Sequence, residues 1–328
     1  MPTTIKIAIF YGSYLCVPVA LALAALAVRR AGPVRIACLA MLAALAVPVY
    51  ARFAEPKILL TRTHDLRIEA CTARDHAPVS VRVAVVADMH WGIFKNAIAA
   101  SRIAPRLRAL DVDVVLMPGD FTYHLPPAAI ADAVAPLGDV GAPAFAVTGN
   151  HDVGAPDGPD VGWPLTAALL NAGVDVVDNR VDRSFVAMGG GVEIAGLSDL
   201  WEGRQDYTAL EARPAAPRIV VTHNPETVLE PELAGKADLV VAGHTHGGQI
   251  YLPGLSCLLS PHACGAARTG FTNAYAVPLF VTSGTGMTVL PMRFNQPPRI
   301  DVLNVAFQTC SSTDEPLRRN ARDGSASG

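Results

Sequence analysis

The chain has 328 residues, with 26 Lys and Arg against 29 Asp and Glu and a net charge of -3. That balance, with no run of Lys or Arg, excludes a dedicated nucleic-acid surface. Hydrophobic residues make up 51 % of the chain; the excess is concentrated at the N-terminus, which leaves an ordinary globular composition after it.

Residues 7–28 carry no charge and are rich in Ala, Leu and Val, a stretch long enough to cross a bilayer. Arg29, Arg30 and Arg35 follow, and a second apolar run covers 36–51. Residues 1–55 therefore read as a membrane segment of one or two helices, with a cleaved export signal as the other reading. The three Arg between the runs favour a cytoplasmic loop, whereas Lys6, Arg52, Lys57 and Arg62 pull the other way. The reading adopted is a cell (inner) membrane anchor with the catalytic domain on the exported side. Residues 56–78 read as a connector, 79–309 as the catalytic domain and 310–328 as a disordered tail. Cys16, Cys38, Cys71, Cys257, Cys264 and Cys310 form no C-x-x-C, so their spacing demands neither disulfides nor a zinc site.

From residue 79 short apolar runs alternate with helical stretches, the α/β pattern. A strand over 81–87 ends in Asp88-Met89-His90, and a helix over 97–110 leads to a strand over 111–117 ending in Gly119-Asp120. A helical stretch over 126–135 precedes a strand over 143–148, which ends in Gly149-Asn150-His151-Asp152. A helix over 162–172, strands over 174–177 and 192–197, and a strand over 218–221 ending in Thr222-His223 come next. The apolar run 237–242 then opens into Gly243-His244-Thr245-His246-Gly247-Gly248-Gln249, and strands over 280–282 and 300–305 close the domain. Two imidazoles one residue apart would point to opposite faces of an extended chain; the glycines permit a turn in which both rings approach one point. Imidazole, carboxylate and amide oxygen at strand ends suit Mn, Fe, Zn or Ni without choosing among them.

Taken in order, Asp88-Met89-His90, Gly119-Asp120, Gly149-Asn150-His151-Asp152, His223 and Gly243-His244-Thr245-His246 resemble the motifs of the calcineurin-like metallophosphoesterases. The likeness runs from about residue 81 to 305. Thr222-His223-Asn224-Pro225, Gly247-Gly248-Gln249-Ile250 and Leu290-Pro291-Met292-Arg293-Phe294-Asn295 resemble the membrane-associated bacterial branch, which includes UDP-2,3-diacylglucosamine hydrolase-like enzymes and exported phosphodiesterases. The resemblance implies a two-sheet β-sandwich flanked by helices, a four-layer α/β/β/α domain. It implies two divalent metal ions: Asp88, His90 and His246 on one, Asn150, His223 and His244 on the other, and Asp120 bridging both. His151 would act on the leaving group. The implied reaction is hydrolysis of a phosphodiester or pyrophosphate bond by metal-bridged hydroxide. The apolar segments add the expectation of a lipid-linked or nucleotide-sugar-lipid substrate, with no nucleic-acid partner.

The chain departs from the resemblance in two places. Tyr123 stands where the family often carries a carboxylate paired with the catalytic His, and Ser283 stands where relatives often carry Arg or Asn. His124 and Arg293 are candidate substrate contacts, Trp91 fits either a pocket wall or the core, and His64, His76 and His262 read as solvated or loop histidines. The competing readings are a non-catalytic module binding metal or a partner in the same pocket, and a metal-dependent nuclease. The first is expected to lose ligands, and none of the seven is missing; the second lacks a basic groove.

Overall fold

The computed structural model describes all residues except 72–77, 155, 157, 211–215, 257–266 and 310–328. Two apolar helices open the chain, α1 (Thr3–Arg29) and α2 (Gly32–Lys57). Both are candidate membrane spans by length and composition. They form an antiparallel hairpin, so the N-terminus and the domain after α2 lie at the same end.

The first sheet takes β1 (Leu60–Ala70), β2 (Val79–Val85), β3 (Val114–Pro118), β4 (Ala144–Val147) and β5 (Asp175–Val176). The second takes β6 (Arg180–Asp182), β7 (Glu193–Leu197), β8 (Arg218–Thr222), β9 (Leu239–Ala242), β10 (Gly270–Thr272) and β11 (Leu279–Val281). The chain then returns through β12 (Arg299–Thr309) to the first sheet, giving the orders β1-β12-β2-β3-β4-β5 and β10-β11-β9-β8-β7-β6. β2, β3 and β4 run parallel, as do β7, β8, β9 and β11.

Alternation along each strand explains the layering. Val81, Val83 and Val85 of β2 face Ile219, Val221, Leu239 and Val241 of the second sheet in one buried cluster. Ala84 on the opposite face, and Val86 just past the strand, pack with Ile103 and Leu107 of α3 (Ala100–Arg108) and Leu165 and Leu169 of α4 (Gly162–Asn171). With both faces covered the strands read as continuous apolar runs, as buried parallel strands do. The outer face of the second sheet packs under short 3₁₀ helices at Tyr207–Leu210, Pro225–Leu229 and Pro231–Leu233, the described elements of the fourth layer.

Most of the expected connector is structure. Leu60–Ala70 pairs in parallel with β12 along its whole length. Its inward residues Leu66, Ile68 and Ala70 are buried while Arg67 and Glu69 between them are exposed. Charges on the solvent face masked the period of two. His64, expected in solvent, lies on this strand with Nε2 2.9 Å from Asp301 and its ring edge against Phe280. Thr282 Oγ1 and Arg299 Nε also donate to the Asp301 carboxylate, at 2.7 and 3.0 Å, which ties the loop after β11 to β12. Cys71, directly after β1, is disulfide-bonded, which the cysteine spacing did not reveal. His76, His262, Cys257, Cys264, Cys310 and the expected tail at 310–328 lie outside the described residues.

A strand at this position makes a clear stability prediction. Ile68 is 2 % exposed, so Ile68→Ala costs about 2–5 kcal/mol of stability. Chemical denaturation reads the change; a midpoint equal to that of the parent protein would return the segment to a connector.

Candidate metal centre

The eight residues expected to hold metal or act on the leaving group sit just past the C-terminal ends of parallel strands, where ligands collect in open α/β sheets. Asp88 and His90 follow β2, Asp120 follows β3, Asn150 and His151 follow β4, His223 follows β8, and His244 and His246 follow β9. Because the two sheets are face to face, these ends form one rim fed from both. Asp88, His90, Asp120, His244 and His246 have φ of 52°, 49°, 55°, 70° and 52°. Non-glycine residues rarely occupy that left-handed region, and a cluster of them is stored strain of the kind found at functional sites. Backbone bonds between the loops hold it: Asp88 N donates to Gly119 O at 3.0 Å, His90 N to Asp120 O at 3.1 Å and Gly243 N to His223 O at 3.1 Å.

The left-handed turns gather the side chains into three overlapping groups, Asp88–His90–His246, His90–Asp120–His151 and Asp120–His223–His244; within each, one donor atom per residue lies within 4.8 Å of the others. His244 and His246 do not meet at one point, as the spacing alone allowed. His246 Nε2 lies 2.9 Å from His90 Nε2, and His244 Nδ1 lies 3.0 Å from His223 Nε2. Asp120 Oδ2 stands between these pairs, 3.3 Å from His90 Nε2 and 3.2 Å from His223 Nε2. Asp88 Oδ1 lies 3.5 Å from His246 Nε2. Asn150 is buried beside them.

This arrangement fits bound cations. Facing imidazole nitrogens at such distances need a proton or a cation between their lone pairs. His223 donates its Nδ1–H to Pro118 O at 2.8 Å, which fixes the tautomer that leaves Nε2 for the rim, the usual device of a metal-binding histidine. Burial, and then His223, push His244 down to about 3. Burial, with Asp120 opposing and His90 and His223 adding, takes His151 down to about 3. Burial and His90 hold His246 well below the usual range. Neutral imidazole is the form that binds metal. Burial works against charge on His223 too, but Asp120 and Asp88 beside it raise it to about 10. Burial likewise opposes charge on Asp120, yet His223 and His151 hold it well below the carboxylate range. Burial pushes Asp88 up to about 6, with His223 opposing. The buried carboxylates thus favour positive charge within the rim.

Close backbone approach is needed at Gly149 and Gly243. A Cβ on Gly149 would fall 2.2 Å from Asp120 Oδ1, and one on Gly243 would fall 2.7 Å from Asp88 Oδ2.

His151 is bonded through its backbone, N to Asp120 Oδ1 at 3.0 Å, and its ring meets Tyr123 edge-on at 4.9 Å. Tyr123, in place of a carboxylate, is fully buried and its hydroxyl accepts from Val289 N at 3.2 Å. Asp152 turns away from His151. It accepts from Thr122 N and Oγ1 at 2.9 Å, Phe121 N at 3.2 Å and Gly149 N at 3.1 Å, strapping together the loops after β3 and β4. His124 lies at the edge, half-buried, with Nε2 3.5 Å from Thr3 Oγ1. Trp91 is a core residue, its indole N–H donating to Ile98 O at 2.8 Å.

Arg293, a candidate substrate contact from the sequence, is placed behind His246. It is fully buried, and its guanidinium donates to Gly286 O, Gln296 O and Ser283 O at 2.7–2.9 Å, with Nη2 3.3 Å from His246 Nδ1. It braces the loop behind His246. Sequence reasoning missed the strapping role of Asp152, and it missed Trp201. Trp201, 54 % exposed, sets its ring edge against His244 with centroids 4.1 Å apart. A large aromatic in the Asp- and Gly-containing segment after β7 was the available signal.

Comparison with known proteins agrees with the geometry. The family model described as calcineurin-like phosphoesterase matches residues 81–248. The chain is 28 % identical to the uncharacterized metallophosphoesterase YkuE of Bacillus subtilis, over 78 % of this chain and 88 % of that one. It is 30 % identical to phosphodiesterase YaeI of Escherichia coli, over 68 % of this chain and 82 % of that one. A transmembrane protein with metallophosphoesterase domain from Danio rerio is 27 % identical over 70 % of this chain and 53 % of its own length.

The tight approach of Gly149 to Asp120 can be tested alone. Gly149→Ala displaces the Asp120 carboxylate and lowers bound divalent metal while the fold persists. Elemental analysis beside circular dichroism measures both; full metal content in the variant would show that the rim tolerates the methyl group.

Proposed function

The chain belongs to the calcineurin-like phosphoesterase family, and from that premise we propose that it cleaves a phosphodiester or pyrophosphate bond in a lipid-linked substrate at a membrane face. Membership makes it a metal-dependent phosphoester hydrolase. The proposed ligand set is Asp88, His90 and His246 on one cation and Asn150, His223 and His244 on the other, with Asp120 shared. The observation that carries this allocation is the position of Asp120 Oδ2, 3.3 Å from one imidazole pair and 3.2 Å from the other. Two divalent cations there, drawn from Mn, Fe, Zn or Ni, supply Lewis acidity at the phosphoryl oxygens and acidified water for in-line attack.

The chain's own residues do the rest. Asp120 offsets the repulsion between like cations. His151, neutral and held by Tyr123, presents one N–H to the departing oxygen, where charge develops. Trp201 offers an apolar flank beside His244, and His124 lines the rim on the side nearest α1.

The exported side is supported by three features. Cys71 is disulfide-bonded, a state that persists in oxidising compartments. Arg29, Arg30 and Arg35 lie at the turn between α1 and α2, where positive charge favours the cytoplasm. Lys6 and Arg52, which weighed the other way, are engaged by protein: Lys6 Nζ lies over the Tyr123 ring and Arg52 over Phe10.

Two measurements divide the roles. Asp120→Asn empties the centre and abolishes turnover of bis-p-nitrophenyl phosphate; retained activity would refute the shared carboxylate. His151→Asn retains metal and lowers kcat by about 10²–10⁴; a fall in metal content instead would make His151 a ligand. For sidedness, alkaline phosphatase fused after residue 309 is active in a bacterial host and a β-galactosidase fusion is not. The reverse pattern would place the domain in the cytoplasm.

A further inference from the structure

α1 is longer than a bilayer requires. Its 27 residues extend about 40 Å at about 1.5 Å each, against about 30 Å of hydrocarbon. Charges mark where the lipid ends. Arg29 and Arg30 close one end of the helix. At the other, Arg52 of α2 donates from Nε to Ser13 Oγ at 2.8 Å and from Nη2 to Phe10 O at 3.3 Å. The turns before Phe10 therefore stand beyond the hydrocarbon, and they lie on the catalytic domain.

Thr3, Lys6, Phe10 and Ser13 fall on one helical face, and that face is covered. Lys6 is 3 % exposed and Phe10 2 %. Phe10 stacks on Phe94 with centroids 5.9 Å apart and shares a buried cluster with Tyr123 and Met287. Lys6 Nζ lies 4.8 Å from the centroid of the Tyr123 ring, the distance of a cation–π contact. The same ring meets His151 edge-on at 4.9 Å and His90 at 5.3 Å. Thr3 Oγ1 reaches His124, the residue after Tyr123.

A second tie runs from α2. Ala51 O accepts from Arg293 N at 2.9 Å and Glu55 Oε1 accepts from Gln296 N at 2.7 Å. Arg293 and Gln296 belong to the segment that backs His246, so both helices of the hairpin reach the rim by protein contacts.

We propose that the first turns of α1 are part of the catalytic site, with Lys6 a positioning residue that sets the orientation of His151 through the Tyr123 ring. This rests on the reading of His151 as the group that acts on the leaving oxygen. The anchor then contributes to the chemical step as well as to location, and a phosphoester is received where the domain meets the bilayer surface.

The test uses the full chain in lipid nanodiscs, loaded with Mn²⁺, with bis-p-nitrophenyl phosphate as the probe. Lys6→Met lowers kcat by about 3- to 30-fold, the range of a desolvated cation–π contact, with KM, metal content and thermal midpoint unchanged. Lys6→Arg, which keeps a cation over the ring, restores most of the rate. In a His151→Asn background Lys6→Met has no further effect, because the two side chains act as one unit. Lys6→Gln serves in the same comparisons where the Met variant does not accumulate. An unchanged kcat in Lys6→Met, or an equal loss with and without His151, overturns the role of Lys6 and leaves that of His151 standing. An unchanged kcat in His151→Asn overturns the reading on which it rests.

Discussion

Negative charge is confined in a dry space at the junction of two sheets. Asp88 and Asp120 are buried at 0 and 1 % exposure, among four imidazoles whose nitrogens approach one another to 2.9–3.0 Å. Such a cluster persists only if positive charge is supplied among its members, since isolated buried carboxylates are expensive. The strained turns at Asp88, His90, Asp120, His244 and His246 have the same origin. Each is a conformation the backbone avoids, tolerated where neighbouring loops bond across it. The sandwich brings the two halves of the cluster together, with Asp88, His90 and Asp120 from the first sheet and His223, His244 and His246 from the second. Two of the three ligand groups, Asp88–His90–His246 and Asp120–His223–His244, draw on both halves.

Much of this was legible in the amino-acid order, for identifiable reasons. Buried parallel strands are apolar on both faces, so β2, β3, β4, β8 and β9 stand out as runs, and a polar residue directly after such a run marks the rim. That is why Asp88, Asp120, Asn150, His223, His244 and His246 were legible as a set. β1 was hidden because it lies at the edge of its sheet and alternates Arg67 and Glu69 with Leu66, Ile68 and Ala70, which resembles a polar linker. Arg293 suggested a ligand contact because it is a positive side chain near a phosphate centre, whereas the fold buries it and bonds it to three carbonyls. The strapping role of Asp152 was not legible because its partners, the amides at 121, 122 and 149, are meaningful only once the two loops are side by side. The Cys71 disulfide depends on proximity in space, which spacing along the chain does not encode.

The membrane hairpin changes how the domain is understood. Its helices do not end where the lipid ends: α1 continues onto the loop that carries Tyr123, and α2 bonds the segment that backs His246. These contacts tie the rim of ligand residues to both helices of the hairpin. On the proposed reading, a lipid-linked substrate would present its phosphorus to the centre at the bilayer surface, which is the physical content of that proposal.

The account stands on a pair of cations sharing the Asp120 carboxylate. Anomalous diffraction from crystals of the full chain grown with Mn²⁺ addresses it most directly. The account predicts two peaks about 3.5–4 Å apart, one beside Asp88, His90 and His246 and the other beside Asn150, His223 and His244, with Asp120 between them. A lone peak, or peaks away from these side chains, would contradict it.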